Sequence, residues 1–229
     1  MLIMAIDSAS HGCSVAVWQD GTVLASCDQS LPERQAEILV PMVQAVLDKA
    51  RLSFADIDLF AVTVGPGSFT GVRVGLATAR GLGLAAARPV AGVTTTETVA
   101  WIARSDNRIN NDPNHCIVVI LDTRRADFYV QSFLLEDRLP SPLCPVQTLA
   151  LTAVRDFLAD LPPLATVVSN NITRLTAYLP TTIPVVSGIR PQAWAAAAVA
   201  AARESTGRLA AEPLYLAPAM TMAPAKGHL

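Results

Sequence analysis

Apolar residues recur along this chain in two rhythms. Short runs at 2–6 and 13–18 are apolar or alternate with polar positions, parted by a turn-rich segment at 7–12. Asp20-Gly21 then marks a tight hairpin into a third run at 22–27, so the chain opens with three antiparallel strands. The spacing predicts a helix over 33–50, kinked by Pro41, whose ring removes one backbone donor. A strand at 59–64, a glycine-rich loop, a helix at about 70–87, a strand at 89–93 and a helix at 95–104 follow. The segment 106–114, with Asn107, Asn110, Asn111, Asn114 and Pro113, breaks the pattern and is the expected domain junction. Alternation then resumes: strands at 117–121 and 128–134, a helix at 151–161, strands at 166–168 and 184–186, and a helix at 191–204. Pro140, Pro142 and Pro145 argue for an irregular excursion, and Pro213, Pro218 and Pro224 for an extended C-terminal stretch. Both halves open with an apolar strand ending in aspartate, Asp7 and Asp122. The expectation is an α/β chain of two related lobes, residues 1–105 and 106–229.

Composition narrows the function classes. Of the 229 residues, 52% are hydrophobic and 16% charged, against roughly 25% charged in an average soluble domain. Disorder and a basic nucleic-acid tail are thereby excluded. Net charge is −2 and neither half is basic, so the chain lacks the footprint of a protein that grips RNA alone. The longest apolar run, 193–202, is too short for a bilayer, which takes about 20 residues. Residues 1–7 show no basic region or cleavage site, so no export signal is expected and the location read is cytoplasmic. Apolar surface in excess of one core's needs points to an interface with a partner.

Candidate chemistry is sparse. Cys13, Cys27, Cys116 and Cys144 form no CxxC pair and read as reduced thiols, mostly core filler. His11, His115 and His228 stand too far apart for a helical zinc pair, so no metal site is expected. Three antiparallel strands, a helix, a strand and a helix is the order of a ribonuclease-H-like lobe. In ATPases built from such lobes, the acid ending the first strand and the glycines after it hold metal and phosphate. Here Ser8, Ala9 and Ser10 follow Asp7, with the first glycine at Gly12. Without glycine the backbone cannot approach a phosphate closely, so Asp7 and its serines are expected to satisfy the strand-end turn. The segment Gly65-Pro66-Gly67-Ser68-Phe69-Thr70-Gly71-Val72-Arg73-Val74-Gly75 follows a strand and opens a helix. Its free N–H groups could cradle an anion, or its glycines could serve a tight turn and close helix packing; no P-loop Lys-Ser/Thr follows.

That segment, continued through residues 75–85, closely resembles the signature of the bacterial TsaB (YeaZ) family. So do Ala5-Ile6-Asp7-Ser8-Ala9, Cys13-Ser14-Val15-Ala16, Ile38-Leu39-Val40-Pro41-Met42-Val43 and Asp122-Thr123-Arg124 with Phe128-Tyr129. The likeness is dense over residues 1–100 and collinear through Pro213-Leu214-Tyr215-Leu216. It implies an actin-like ATPase (ribonuclease-H-like) fold of two α/β lobes. It also implies a non-catalytic subunit of the machinery that makes threonylcarbamoyladenosine beside the tRNA anticodon. The implied partners are a catalytic TsaD-like subunit and a TsaE-like ATPase, with tRNA met through the complex and a homodimer possible for the lone chain. Two positions depart from the family: Gln35 stands where members often carry histidine, and Ala217 where many carry arginine. Catalytic relatives place a metal-binding histidine pair where this chain has Gly92-Val93-Thr94-Thr95-Thr96-Glu97.

The two predicted helices give the partner expectation a physical form. At 100° per residue, the apolar positions of 33–50 cover an arc of about 220°, where one core needs little over 100°. In the second helix Gly71, Gly75, Thr78, Ala79, Leu82 and Ala86 form a small-residue face, and only Arg73 and Arg80 are charged. Leu39, Met42, Val43, Val46, Gly71, Gly75, Thr78 and Leu82 are therefore the expected partner interface, with a thick monomer core as the alternative. No catalytic or cofactor-binding residue is assigned. The competing classes are a kinase-type ATP-dependent enzyme, which would need phosphate glycines after Asp7, and a peptidase, which would need a metal or a nucleophile–base pair.

Overall fold

The computed structural model describes residues 1–217 apart from 11, 31–33, 107, 110–111, 113–114, 137–138, 162–164 and 204–206. His11, His228, Glu33, Glu204, all four asparagines and the proline of the expected junction, and Pro218 and Pro224 therefore lie outside the described residues.

The first sheet is built as the alternation predicts. β1 (Leu2–Asp7), β2 (Cys13–Gln19) and β3 (Thr22–Gln29) form an antiparallel meander, with Ala5 opposite Ala16. Its second turn carries Asp20 at φ 46° and Gly21 at φ 92°, the paired positive angles that match the twist of a two-residue hairpin. β4 (Leu59–Thr63) and β5 (Val90–Val93) add in parallel on the other side of β1, giving the order β3-β2-β1-β4-β5. β1 is buried on both faces. Met4 and Ile6 point into a core under α1 (Gln35–Ala50) and α2 (Phe69–Ala86), and Ile3 and Ala5 point into a second core on the opposite face. α1 runs on through Pro41, which is exposed.

The second sheet repeats the plan. β6 (Cys116–Asp122) pairs antiparallel with β7 (Asp127–Leu134) and parallel with β10 (Ala165–Ser169), which pairs in turn with β11 (Val185–Ser187). Asp122 thus ends β6 as Asp7 ends β1. The proline-rich excursion contains two short strands, β8 (Ser141–Pro142) and β9 (Gln147–Ala150), both laid on β7. α4 (Leu151–Ala159) covers one face through Val154 and Leu158.

Packing does not follow chain order. α3 (Thr95–Arg104) leaves the first sheet and packs Val99, Ala100 and Ala103 onto Ile117, Val119 and Phe133 of the second. α5 (Ala193–Ala202) leaves the second sheet and packs Ala193, Ala196, Ala197 and Ala200 onto Ile3, Ala5, Ala61 and Ala91 of the first. α5 is apolar all round because the first sheet and α3 cover it from two sides. Residues 207–217 then return across the first lobe: Gly92 N–H donates to Leu209 O at 2.9 Å and Leu214 N–H to Val64 O at 2.8 Å. The extended reading of this stretch holds, and its role is to strap the edge strand.

The partner-interface expectation needs correction. Leu39, Met42, Val43 and Val46 are 0–2% exposed and fill the chain's own first core. Gly71 and Gly75 are buried against the chain itself: a Cβ on Gly71 would stand 1.9 Å from Ser8 O, and one on Gly75 2.4 Å from Ser8 Oγ. Gly83 continues the stripe against Val90. The small-residue ridge lets α2 lie on the first sheet and the end of β1, so the chain itself covers it. Thr78 and Leu82 are half-buried. The wide apolar arc of α1 has the same cause, since the helix meets both the sheet and α2.

This packing predicts opposite effects for two alanines in one helix. Gly71→Ala forces its neighbour's backbone to move and should cost about 1–3 kcal/mol. Gly81→Ala meets nothing within 4 Å and should gain up to about 1 kcal/mol from helix propensity. Urea midpoints of the two variants check this; equal shifts would contradict it.

Candidate functional site: an inter-lobe cleft

Of the two strand-end aspartates Asp122 lines a cleft between the sheets and Asp7 is buried, and each is held by partners in its own lobe. Asp7 is fully buried. Its carboxylate accepts from the Thr63 hydroxyl at 2.6 Å and from Ala9 N–H and the Ser10 hydroxyl, both at 3.2 Å. Burial outweighs these donors and pushes its pKa up from the ordinary carboxylate value. Asp122 accepts from Arg124 N–H at 2.8 Å and from the Arg174 guanidinium at 2.5 Å, with Asn171 Nδ2 at 3.3 Å.

The turn after β1 is closed by the chain itself. Gln35, at the first position of α1, donates its amide Nε2 to Ser8 O at 2.9 Å and to Gly12 O at 3.0 Å. Ser8 Oγ donates to Gly71 O at 2.8 Å, and Ser68 N–H donates to Ala9 O at 2.7 Å. Ser68 caps α2, its Oγ accepting from Gly71 N–H. A Cβ on Gly67 would meet Ala9 O at 2.1 Å. The glycine-rich loop therefore spends its freedom on approaching the β1 turn, and the Ser68 donor that an anion could use is already taken. The donors and close approaches of this turn are thus committed within the chain.

Beyond that closed turn a cavity of about 300 Å³ remains between the lobes. Ser10, Gln35, Pro66, Gly67, Ser68 and Phe69 line one side, Leu121, Asp122, Thr123, Arg124, Arg125, Tyr129 and Asn170 the other, with Thr95 and Pro191 between. Such a volume is at the small end of ligand pockets. Sequence reasoning quoted Arg124 and Thr95 within longer segments and singled out Gln35, but it gave no role to Thr95 and missed Arg125 and the strap over α2. Gln35 carried a signal, an uncharged amide inside an otherwise apolar arc. The strap left none, because its contacts are backbone atoms far along the chain.

The peptidase and kinase alternatives find little here. The Cys13 thiol is buried in the first core and pushed up to about 11 by desolvation, with the Asp7 and Asp28 charges adding to it. Cys116 is likewise pushed up to about 11. His115 is buried against Thr166 in the second sheet, its Nε2 2.9 Å from Thr166 Oγ1, and burial holds its pKa below the usual value. Among the described residues no three His, Cys, Asp or Glu side chains gather as a metal site would require, and no helix is long and apolar enough to cross a membrane.

Two α/β lobes, each with a central strand ending in aspartate and with their last helices exchanged, define an actin-like, ribonuclease-H-related chain. Comparison with known proteins shows what it is similar to. Residues 31–139 match the profile of the family described as "TsaD: tRNA N6-adenosine threonylcarbamoyltransferase". The chain is 40% identical over 129 residues to the tRNA threonylcarbamoyladenosine biosynthesis protein TsaB of Escherichia coli, covering 56% of this chain and 53% of that protein. It is 28% identical over 160 residues to the Bacillus subtilis protein of the same name, covering 70% and 67%. The matched region thus spans about half to two thirds of these relatives' length. The solved structure of YeaZ from Pseudomonas aeruginosa superposes with a TM-score of 0.81 at 23% identity, covering 94% of this chain and 99% of that one. The similarity is thus to proteins named TsaB and YeaZ, the likeness the sequence motifs carry.

The thiols offer a direct check on the geometry. In the native protein a disulfide reagent should label Cys27 and Cys144, both half-buried, and spare Cys13 and Cys116 until denaturant is added. Rapid native labelling of Cys13 would contradict the closed turn.

Proposed function

We propose that this chain is a non-catalytic subunit in the formation of threonylcarbamoyladenosine on tRNA, supporting a TsaD-like catalytic subunit. The observation that carries the reading is the closed β1 turn: Gln35, Ser8 and Ala9 occupy the place where a catalytic relative of this fold would open to phosphate. The names of the relatives supply the pathway, and the match to a TsaD profile supports kinship with the subunit it would join. A TsaE-like ATPase completes the set of partners, and the machinery is cytoplasmic. With net charge −2 and no basic half, tRNA is met through the assembly.

The partner surface in this reading remains on α1 and α2 but turns to their outward side. Val40 is 57% exposed and Leu84 85% exposed, and the half-buried Thr78 and Leu82 lie on the same helix as Leu84. Exposed aliphatic side chains on adjoining helices are what an apolar interface would cover.

Two measurements test this. The isolated protein should show no appreciable ATP hydrolysis and only weak tRNA binding in gel-shift titration at physiological salt; robust turnover or tight binding would overturn the reading. Val40→Glu and Leu84→Glu should leave thermal unfolding nearly unchanged while weakening pairing with the TsaD-like subunit roughly tenfold or more, as loss of an interface anchor does. Substitution at Val43 or Gly75 would report on folding instead.

A further inference from the structure

We propose that Gln35 is a positioning latch: its amide fills a cage of three carbonyls made by the β1 turn, and it thereby sets where α1 lies beside α2 on the surface offered to a partner. The role toward a partner rests on the tRNA-modification reading; the latch itself does not. The cage is defined by distances. Gln35 Nε2 stands 2.9 Å from Ser8 O, 3.0 Å from Gly12 O and 3.4 Å from Ser10 O, on a residue only 3% exposed. A side-chain amide carries two N–H groups, so three carbonyls converge on two hydrogens. Buried carbonyls without a donor are costly, and a nitrogen must therefore stand among them. An ammonium ion meets the same geometry as the amide, since both present N–H groups at hydrogen-bond distance.

The start of α1 lacks the usual alternative. Arg34, at its N-cap, makes no capping hydrogen bond and pairs with Glu37 on the surface instead. α2 and α3, by contrast, are capped by the side chains of Ser68 and Thr94. Gln35 thus fastens the first turn of α1 to residues 8–12 in place of a cap. The same turn holds α2. Ser8 Oγ donates to Gly71 O at 2.8 Å, and a Cβ on Gly71 would stand 3.0 Å from both Nε2 and Oε1 of Gln35. Both helices of the proposed partner surface therefore take their position from one turn, and Val40 lies little more than a helical turn beyond the latch.

The test uses two variants of the full chain. Gln35→Leu keeps the bulk and removes the donor, and Gln35→Ala empties the cage. In Gln35→Leu, amide hydrogen exchange should quicken about tenfold or more over residues 39–47 of α1 while β4 and β6 exchange as in the wild-type chain. Thermal unfolding of Gln35→Ala should rise by about 3 °C or more in ammonium chloride over sodium chloride of equal ionic strength, with no such difference for the wild-type chain. Pairing of Gln35→Leu with the TsaD-like subunit, measured where the variant is fully folded, should weaken about tenfold. Exchange quickened equally in α1, β4 and β6, or an equal response of Gln35→Ala to the two salts, would overturn the latch. Full-strength pairing by folded Gln35→Leu would overturn its role toward a partner. A wild-type chain that fails to pair would overturn the tRNA-modification reading, and exchange and the salt comparison would still decide the latch.

Discussion

The first lobe depends on how closely α2 lies against the end of β1. Gly67, Gly71 and Gly75 bring the loop and helix so near that any side chain would strike Ala9 or Ser8. That approach lets Ser68 N–H reach Ala9 O and Ser8 Oγ reach Gly71 O. The same contact locates Asp7, whose carboxylate then finds Thr63, Ala9 and Ser10 within its own lobe. A single steric fact therefore accounts for the buried acid and the closed turn. Gln35 completes the closure from α1 by binding the turn's carbonyls.

The lobes are joined by exchange of helices. α3 and α5 each leave the sheet they follow and cover the other, and each packs against its counterpart at the centre. An alanine-rich α5 suits that place, since small side chains let two layers approach from opposite sides. The cleft sits above this junction, with walls from α2's start on one lobe and the β6–β7 turn on the other. The strap at 207–217 ties the C-terminal stretch back over Gly65 and Gly92, and the guanidinium of Arg73 lies 3.7 Å over the Phe69 ring, with Tyr215 beside it.

Much of this was legible in the sequence. Alternation located β1, β2, β4, β6 and β7, and the Asp20-Gly21 pair located the hairpin. The glycine-poor turn after Asp7 indicated that the acid would be satisfied locally, and it is. The meaning of the broad apolar faces was not legible. Leu39, Val43 and Gly75 look alike whether they face a partner or the chain's own sheet, because periodicity records that a face is covered and not by what. The helix exchange was equally invisible, since nothing in α5 names the sheet it will cover. Thr95's unpaired hydroxyl and the cavity it lines arise only when segments far apart in the chain meet.

The central claim is that the chain acts by its presence in an assembly, its own strand-end chemistry being closed off. Reconstitution of tRNA threonylcarbamoylation with purified components tests this most directly, comparing reactions with and without this chain beside the TsaD-like and TsaE-like proteins. Modified adenosine should form when the chain is present in stoichiometric amount and fall to background when it is omitted, while the chain alone forms none. Full modification without it, or product formed by the chain alone, would contradict the account.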